Sequence, residues 1–405
     1  LRPSCRSGLP FVRPGFLALV FSGYGFPATV TIIVTMREDA NGFYCPLTKL
    51  PMLLTFSLLL FALSMNGQSR ARQPKEAPAP TRTVLAVQEG PGQVVLFSAS
   101  SPAEKATIAV REKPHEIELT PDGRTAFVTD FGLLEANHKL GTPGSMISVL
   151  DVSSGSARTE FRLPAGRTAP HGVKLRPPLF RELFTNAEEG TESMVVFDAE
   201  TGAVLRVFAL PHGVHNFVFS PDGSALYAFT TANTVLKIDP QSGAILATAT
   251  IPSPRGLAWT TGARYLIVGA KNELVFLNPS TLAIDKRWGP LGVGQVFYPT
   301  SSSDGKWIFA PAVLDGVVLA MDASTGAVAH RIQTGSPLQV VEDENRLWVS
   351  NVLVPPAMLP TGADPRRGGI VAVDLTTWST TSLPGIEDTN GLAVSKVATT
   401  APAAH

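Results

Sequence analysis

The 405-residue sequence predicts an all-β protein, a seven-bladed β-propeller of four-stranded antiparallel blades spanning residues 83–396. Three observations carry that expectation. An Asp-x-x-Ser/Thr-Gly turn recurs between alternating apolar runs, a Pro-Asp-Gly turn interleaves with it, and the two chain ends hold complementary parts of one repeat. Each repeat takes about 40–50 residues and four strands, the span of a propeller blade. Apolar residues do not fall at i, i+3, i+4 and i+7, as a helical repeat would require.

The ring does not begin at the N-terminus. Residues 1–35 open on Leu1 and precede Met36, and their apolar stretch is broken by Gly23, Gly25 and Pro27. They read as an upstream artefact or a mis-called start. Residues 36–71 hold the apolar run from Met52 to Leu63 behind Lys49. Small residues for cleavage follow at Ala62-Leu-Ser64 and Ser69-Arg-Ala71. That is the make-up of a secretory signal peptide. The run is shorter than the roughly 20 apolar residues a membrane span takes. A periplasmic or secreted protein with no span in its mature form is therefore expected. Residues 72–82, Pro-rich and polar, read as a linker, and residues 397–405 as a disordered tail. Both cysteines, Cys5 and Cys45, precede the ring, so it has no thiol for a disulfide, a zinc site or a nucleophile.

Within the ring, Asp151-Val-Ser-Ser-Gly155, Asp198-Ala-Glu-Thr-Gly202, Asp239-Pro-Gln-Ser-Gly243 and Asp322-Ala-Ser-Thr-Gly326 are full copies of the first turn. Weaker copies are Asn278-Pro-Ser-Thr-Leu282, Asp374-Leu-Thr-Thr-Trp378 and Ser98-Ala-Ser-Ser-Pro102. Asp or Asn caps such a turn through its side-chain oxygen, and Gly supplies the positive φ. The second turn appears as Thr120-Pro-Asp-Gly123, Ser220-Pro-Asp-Gly223 and Ser302-Ser-Asp-Gly305. Thr260-Thr-Gly-Ala263 and Glu342-Asp-Glu-Asn345 take its place in two other repeats. One repeat is split. Residues 83–110 supply three strands and lack an innermost one, whereas Asn390-Gly-Leu-Ala-Val-Ser395 matches an innermost strand. Pairing the two closes the circle and leaves no exposed sheet edge.

Composition agrees with a folded ring. Apolar residues make up 44%, enough for a sizeable core. The 33 basic residues are balanced by 33 acidic ones, which removes the basic footprint a nucleic-acid partner needs.

Hairpin parity assigns the faces. Both turn motifs fall on one face, so the start of strand one and the loop after strand two share the other. The longest insertions, 131–145 and 352–369, lie there, and extended loops on a rigid scaffold commonly carry binding. The leading positions of strand one are His115, His171, His215, Arg255, Gln295, Leu338 and, at closure, Asn390. Three histidines thus occupy equivalent places in successive blades and point near the central channel. Imidazole suits zinc, copper or iron, so His115, His171 and His215 form a candidate site for a divalent transition metal. The plainer reading is a recurrent Pro-His strand start whose imidazoles bond to neighbouring backbone. Arg255 and Asn390 give the same ring an anion-friendly character. Strand two ends bring Glu89, Asp130, Asn186 and Asn351, with Glu188 and Glu189 just beyond. A carboxylate beside a histidine can act as a general base or support a metal; in an exposed loop it is simply solvated. The ligand-binding candidates are His115, His171, His215, Arg255, Asn390, Asp130 and Asn186. No catalytic residue is assigned, and a divalent transition metal is the one cofactor the pattern leaves open.

Other signals are weak. The sequence has no Gly-x-Ser-x-Gly elbow and no His-Glu-x-x-His helix. Gly289-Pro-Leu-Gly-Val-Gly294 lacks the strand-to-helix setting of a phosphate loop. Tyr227, Trp307 and Trp348 sit at similar points of strand two and read as packing between blades.

Pro114-His-Glu-Ile-Glu-Leu-Thr-Pro-Asp-Gly-Arg-Thr-Ala-Phe-Val-Thr-Asp130 and Ser148-Val-Leu-Asp-Val-Ser-Ser-Gly155 resemble YVTN-family propeller repeats. The resemblance covers residues 83–396. It implies a YVTN repeat-like or quinoprotein amine dehydrogenase-like propeller, a group holding envelope proteins, lactonase-like hydrolases and the propellers of amine dehydrogenases and nitrous oxide reductase. No catalytic set from those enzymes matches here residue by residue. The repeats with Arg176-Pro-Pro-Leu-Phe-Arg-Glu182 and with Asn278 and Leu282 depart from the pattern. The expectation is an exported, monomeric propeller that binds a small molecule or an envelope protein through its His-bearing rim. Alternatives are a lactonase-like hydrolase or metal-dependent enzyme at that rim, and a docking scaffold for a redox partner.

Overall fold

Short, mostly apolar runs such as Leu226–Thr230 and Thr234–Ile238 cannot bury both faces alone, so they stack sheet against sheet. The computed structural model describes residues 82–134, 137–355, 359 and 368–399. The expected signal-peptide region, residues 36–71, the segment 1–35 before it and almost all of the linker lie outside the described residues.

Seven four-stranded sheets make up the ring. Blade one is the split one. Its strands Thr83–Gln88, Gln93–Ser98 and Ser101–Ala109 are joined on the inside by Thr389–Ser395. The closing pair is antiparallel, with Thr83 opposite Ser395 and Leu85 opposite Ala393. Blades two to seven follow in chain order, with innermost strands starting at Pro114, Arg167, Val214, Pro254, Thr300 and Pro337.

The core is not one mass but a set of seams between blades. Leu85, Leu96, Val128 and Leu150 fill the seam between blades one and two; Phe184, Phe217 and Leu226 fill that between three and four. The seam that closes the circle holds Val84, Val95, Phe97, Trp348, Ile370 and Leu392. Trp348 meets Phe97 edge-on at 5.4 Å. Tyr227 packs into the seam of blades four and five.

The turns behave as their residues require. Asp198 Oδ1 accepts the Glu200 and Thr201 N–H groups at 3.1 and 2.8 Å, and Gly202 takes φ 73°. A Cβ there would also meet the Phe161 ring of the preceding blade at 2.3 Å, so glycine is needed twice over. The irregular repeat keeps the same turn: Asn278 Oδ1 accepts from Ser280 and Thr281, while Leu282 adopts φ 58° and buries its side chain. Core burial of Leu282 offsets the steric cost of a left-handed non-glycine residue.

Three features differ from the sequence expectation. Strand one of blade six is only Thr300–Ser301, and Phe297 rather than Gln295 reaches the rim there. The insertion after strand two of blade two carries its own hairpin, Leu133–Leu134 with Asn137–Gly141. Beyond the closing strand, the Val397 carbonyl accepts from Thr83 Oγ1, which in turn accepts the Thr399 N–H. Residues 400–405 lie outside the described residues.

Candidate functional site

A repeated irregularity builds the rim. The first pairing of strand one slips between Pro114 and Ile117, Pro170 and Val173, Val214 and Asn216, Pro254 and Leu257, and Pro337 and Val340. A bulge inserts an unpaired residue and re-aims its side chain. Here the bulges fall on His115-Glu116, His171-Gly172 and His215. Neighbouring blades clamp them. Thr129 Oγ1 accepts the Glu116 N–H at 2.9 Å and donates to the His171 carbonyl at 3.0 Å. Asn186, fully buried, accepts the Gly172 N–H at 2.8 Å and donates to the carbonyls of Val214 and His215 at 3.1 Å. Gly172 has no room for a side chain, since a Cβ would stand 2.7 Å from Asn216 Oδ1.

The result is a row of imidazoles. His115 and His171 lie 4.2 Å apart between ring centres, and His171 and His215 4.0 Å. A fourth ring, His138 from the inserted hairpin, stacks on His215 at 5.5 Å. Phe131, fully buried, backs His115, His138 and His171 at 5.0–5.2 Å between ring centres.

Carboxylates border this row, and Glu188 Oε1 also lies 4.0 Å from His171 Nδ1. Glu188 Oε1 accepts from His215 Nδ1 at 3.0 Å, and its Oε2 lies 3.6 Å from His138 Nδ1. The donor atoms of His138, Glu188 and His215 all fall within 4.8 Å of one another, as do those of His115, Glu116 and His171. So the three histidines of successive blades are brought side by side yet belong to two clusters. Glu116 is already engaged: its Oε1 accepts from Asn216 Nδ2 at 3.1 Å and Gln339 Nε2 at 2.8 Å, with Lys174 Nζ 3.7 Å from Oε2. Asn390 brings the closing strand into the site, its Nδ2 donating to Glu89 Oε2 at 3.1 Å and to His115 Nδ1 at 3.0 Å. A flipped amide would set its oxygen against the Glu89 carboxylate. His115 Nδ1 therefore accepts, and its proton sits on Nε2.

The second cluster opens on a cavity of about 570 Å³. Glu188, Glu189, Glu192, His138, His215 and Arg255 line its polar side. Phe297, Val313, Leu338, Val352 and Val354 supply its apolar lining. The other mouth of the channel is a separate hollow of about 400 Å³ around Glu116, Glu118, Lys174 and Gln339. Burial pushes the Glu118 carboxyl above its ordinary range, with Lys174 opposing.

Two predicted residues have other surroundings. Asp130 accepts a backbone hydrogen bond from Ser145 and fastens the base of the insertion; burial pushes its carboxyl up to about 6. Gln295 donates to the Ser253 and Val296 carbonyls at 3.2 and 2.9 Å. Sequence reasoning passed over His138, Glu116 and the apolar wall. Only the proximity of His138 to an aromatic, Phe131, within one insertion hinted at the first.

Neither the scan against protein-family models nor the search of curated proteins finds a match. Solved structures do match. The dihydro-heme d1 dehydrogenase NirN in complex with DHE aligns with a TM-score of 0.57 at 15% identity, over 80% of this chain and 77% of its own. A functionally unknown protein from Desulfotomaculum acetoxidans aligns with a TM-score of 0.60 at 15% identity, over 78% of this chain and 99% of its own. At that identity the likeness is one of fold.

Proposed function

We propose that this chain is an exported, monomeric YVTN-type propeller that binds a small molecule in the rim cavity beside His138, Glu188 and His215. The observation that carries the reading is the pairing, in one concave space, of a His–Glu cluster with an apolar wall. Ligand pockets combine these features, a few placed polar groups in a mainly apolar hollow. The favoured ligand has an apolar body for Leu338 and Val354 and a polar head for the imidazole side. The turn grammar from Pro114 to Gly155 supports the YVTN assignment, and the signal-like run from Met52 to Leu63 supports export.

Ligand-observed NMR with a fragment library tests the reading on the full chain. Leu314 lines the cavity and is 40% exposed, so Leu314→Trp narrows the space without disturbing a core. Hits carrying an apolar ring and a polar head should bind the native chain and lose binding in Leu314→Trp. A library that yields no hits, or hits indifferent to Leu314→Trp, removes the reading. A hydrolase at the same rim is the second reading, favoured by the 3.0 Å Glu188–His215 pair, which has general-base geometry. It requires lactone turnover that His215→Ala abolishes.

A further inference from the structure

We propose that His138, Glu188 and His215 are the protein ligands of one divalent transition-metal ion, of the zinc class, at the wall of the rim cavity. The inference deepens the binding reading above and rests on the same cavity. Two imidazoles and a carboxylate are a donor set that suits zinc and its neighbours, and three protein ligands leave a coordination position for solvent or a bound molecule.

The spacing fits. Tetrahedral zinc with bonds of about 2.0–2.1 Å separates its donor atoms by roughly 3.3 Å. Glu188 Oε1 stands 3.0 Å from His215 Nδ1 and its other oxygen, Oε2, 3.6 Å from His138 Nδ1, so the carboxylate faces both imidazoles near that spacing, with one donor atom from each residue within 4.8 Å of the others. The three ligands come from three different blades: the hairpin strand Asn137–Gly141 inserted in blade two, the strand Glu182–Gly190 of blade three and the strand Val214–Phe219 of blade four. Each is held from behind. Asn186 fixes the His215 main chain, and its Nδ2 lies 3.5 Å from Glu188 Oε1. Phe131 meets the His138 ring edge-on at 5.0 Å. Such support orients metal ligands before the ion arrives.

Access separates this cluster from its neighbour. His138, Glu188 and His215 line the cavity, with side chains 34%, 15% and 10% exposed. His115, Glu116 and His171 are all buried, and Glu116 is occupied by Asn216, Gln339 and Lys174. Glu188, Glu189 and Glu192 outnumber Arg255 on the cavity wall, so the local charge also favours a cation.

The test is titration of the purified, chelator-stripped full chain with cobalt(II), followed by visible absorbance, and with zinc(II) by calorimetry. One ion per chain should bind, with a cobalt d–d band that zinc abolishes. His138→Ala and Glu188→Gln should each weaken affinity by about tenfold or more, as even supporting residues do at metal sites. The glutamine keeps side-chain volume, which preserves the fold. His330→Ala, a ring stacked on Trp378 in another part of the molecule, should leave affinity unchanged. Absence of saturable binding overturns the proposal, as does native affinity in Glu188→Gln or a loss confined to His115→Ala. Fragment binding to the cavity without cobalt binding would sink the metal and spare the ligand site; cobalt binding without fragments would do the reverse.

Discussion

Removing the Asn186 side chain should unsettle the ring and the site together. In Asn186→Ala the Gly172 N–H and the Val214 and His215 carbonyls lose their partners at 2.8, 3.1 and 3.1 Å, in a place with no solvent exposure. Each orphaned buried group costs about 1–3 kcal/mol. The losses are coupled, since all three share one amide and the blades can relax around it. An overall cost of about 3–5 kcal/mol follows, near the upper end for a single substitution. At roughly 2 °C per kcal/mol for a ring of this size, the melting temperature should fall by about 6–10 °C. Differential scanning calorimetry of Asn186→Ala beside Thr201→Ala provides the comparison. Thr201 sits in an exposed turn and loses only its Oγ1 bonds to Asp198 and the Ala203 N–H, so it should cost about 1 kcal/mol or less. A shift for Asn186→Ala no larger than that of the control would refute the clamp.

Other consequences follow from the same structure. Ending the chain after Asp388 removes the innermost strand of blade one and its share of the closing seam, so the product should lack a cooperative transition in calorimetry; an unchanged transition contradicts closure. Asp130 titrates near 6 when folded against 3.8 as its ordinary value. The folded state therefore holds the proton more tightly, and the stability this contributes is complete below pH 3.8 and lost as pH rises through about 6. Asp130→Asn should flatten that fall in a melting-temperature series across this range, and a series as steep as the native one argues against it. Phe131→Ala empties a fully buried site among three imidazoles and should cost about 3–5 kcal/mol in denaturant unfolding, with weaker cobalt binding; a loss under about 1 kcal/mol would mean the ring is not a backing wall.

The ring was legible because its turns are chemically demanding. Asp198 and Gly202 announce their turn by side-chain oxygen and positive φ, and neither property depends on distant parts of the chain. Closure was legible too, since Asn390–Ser395 is a strand without local partners. Parity then placed His115, His171 and His215 on one rim, where the structure sets them side by side. It could not place Glu116. Strict alternation sends residues 115 and 116 to opposite faces, and only the bulge between Pro114 and Ile117 lets both join one cluster. His138 escaped for a different reason. It lies in an insertion, where no repeat fixes register, and its position depends on packing against Phe131 and His215. The shortened strand of blade six likewise leaves no periodic signal, so the rim position there is Phe297, two residues beyond the expected Gln295.

On the proposed reading this ring binds its ligand at the His138–Glu188–His215 mouth of the channel and not at the opposite one. Difference density in crystals of the full chain soaked with the fragment hits decides between them. Density is expected between His215 and the apolar side chains of Leu338 and Val354. Fragments gathered instead around Glu118 and Lys174 would contradict it.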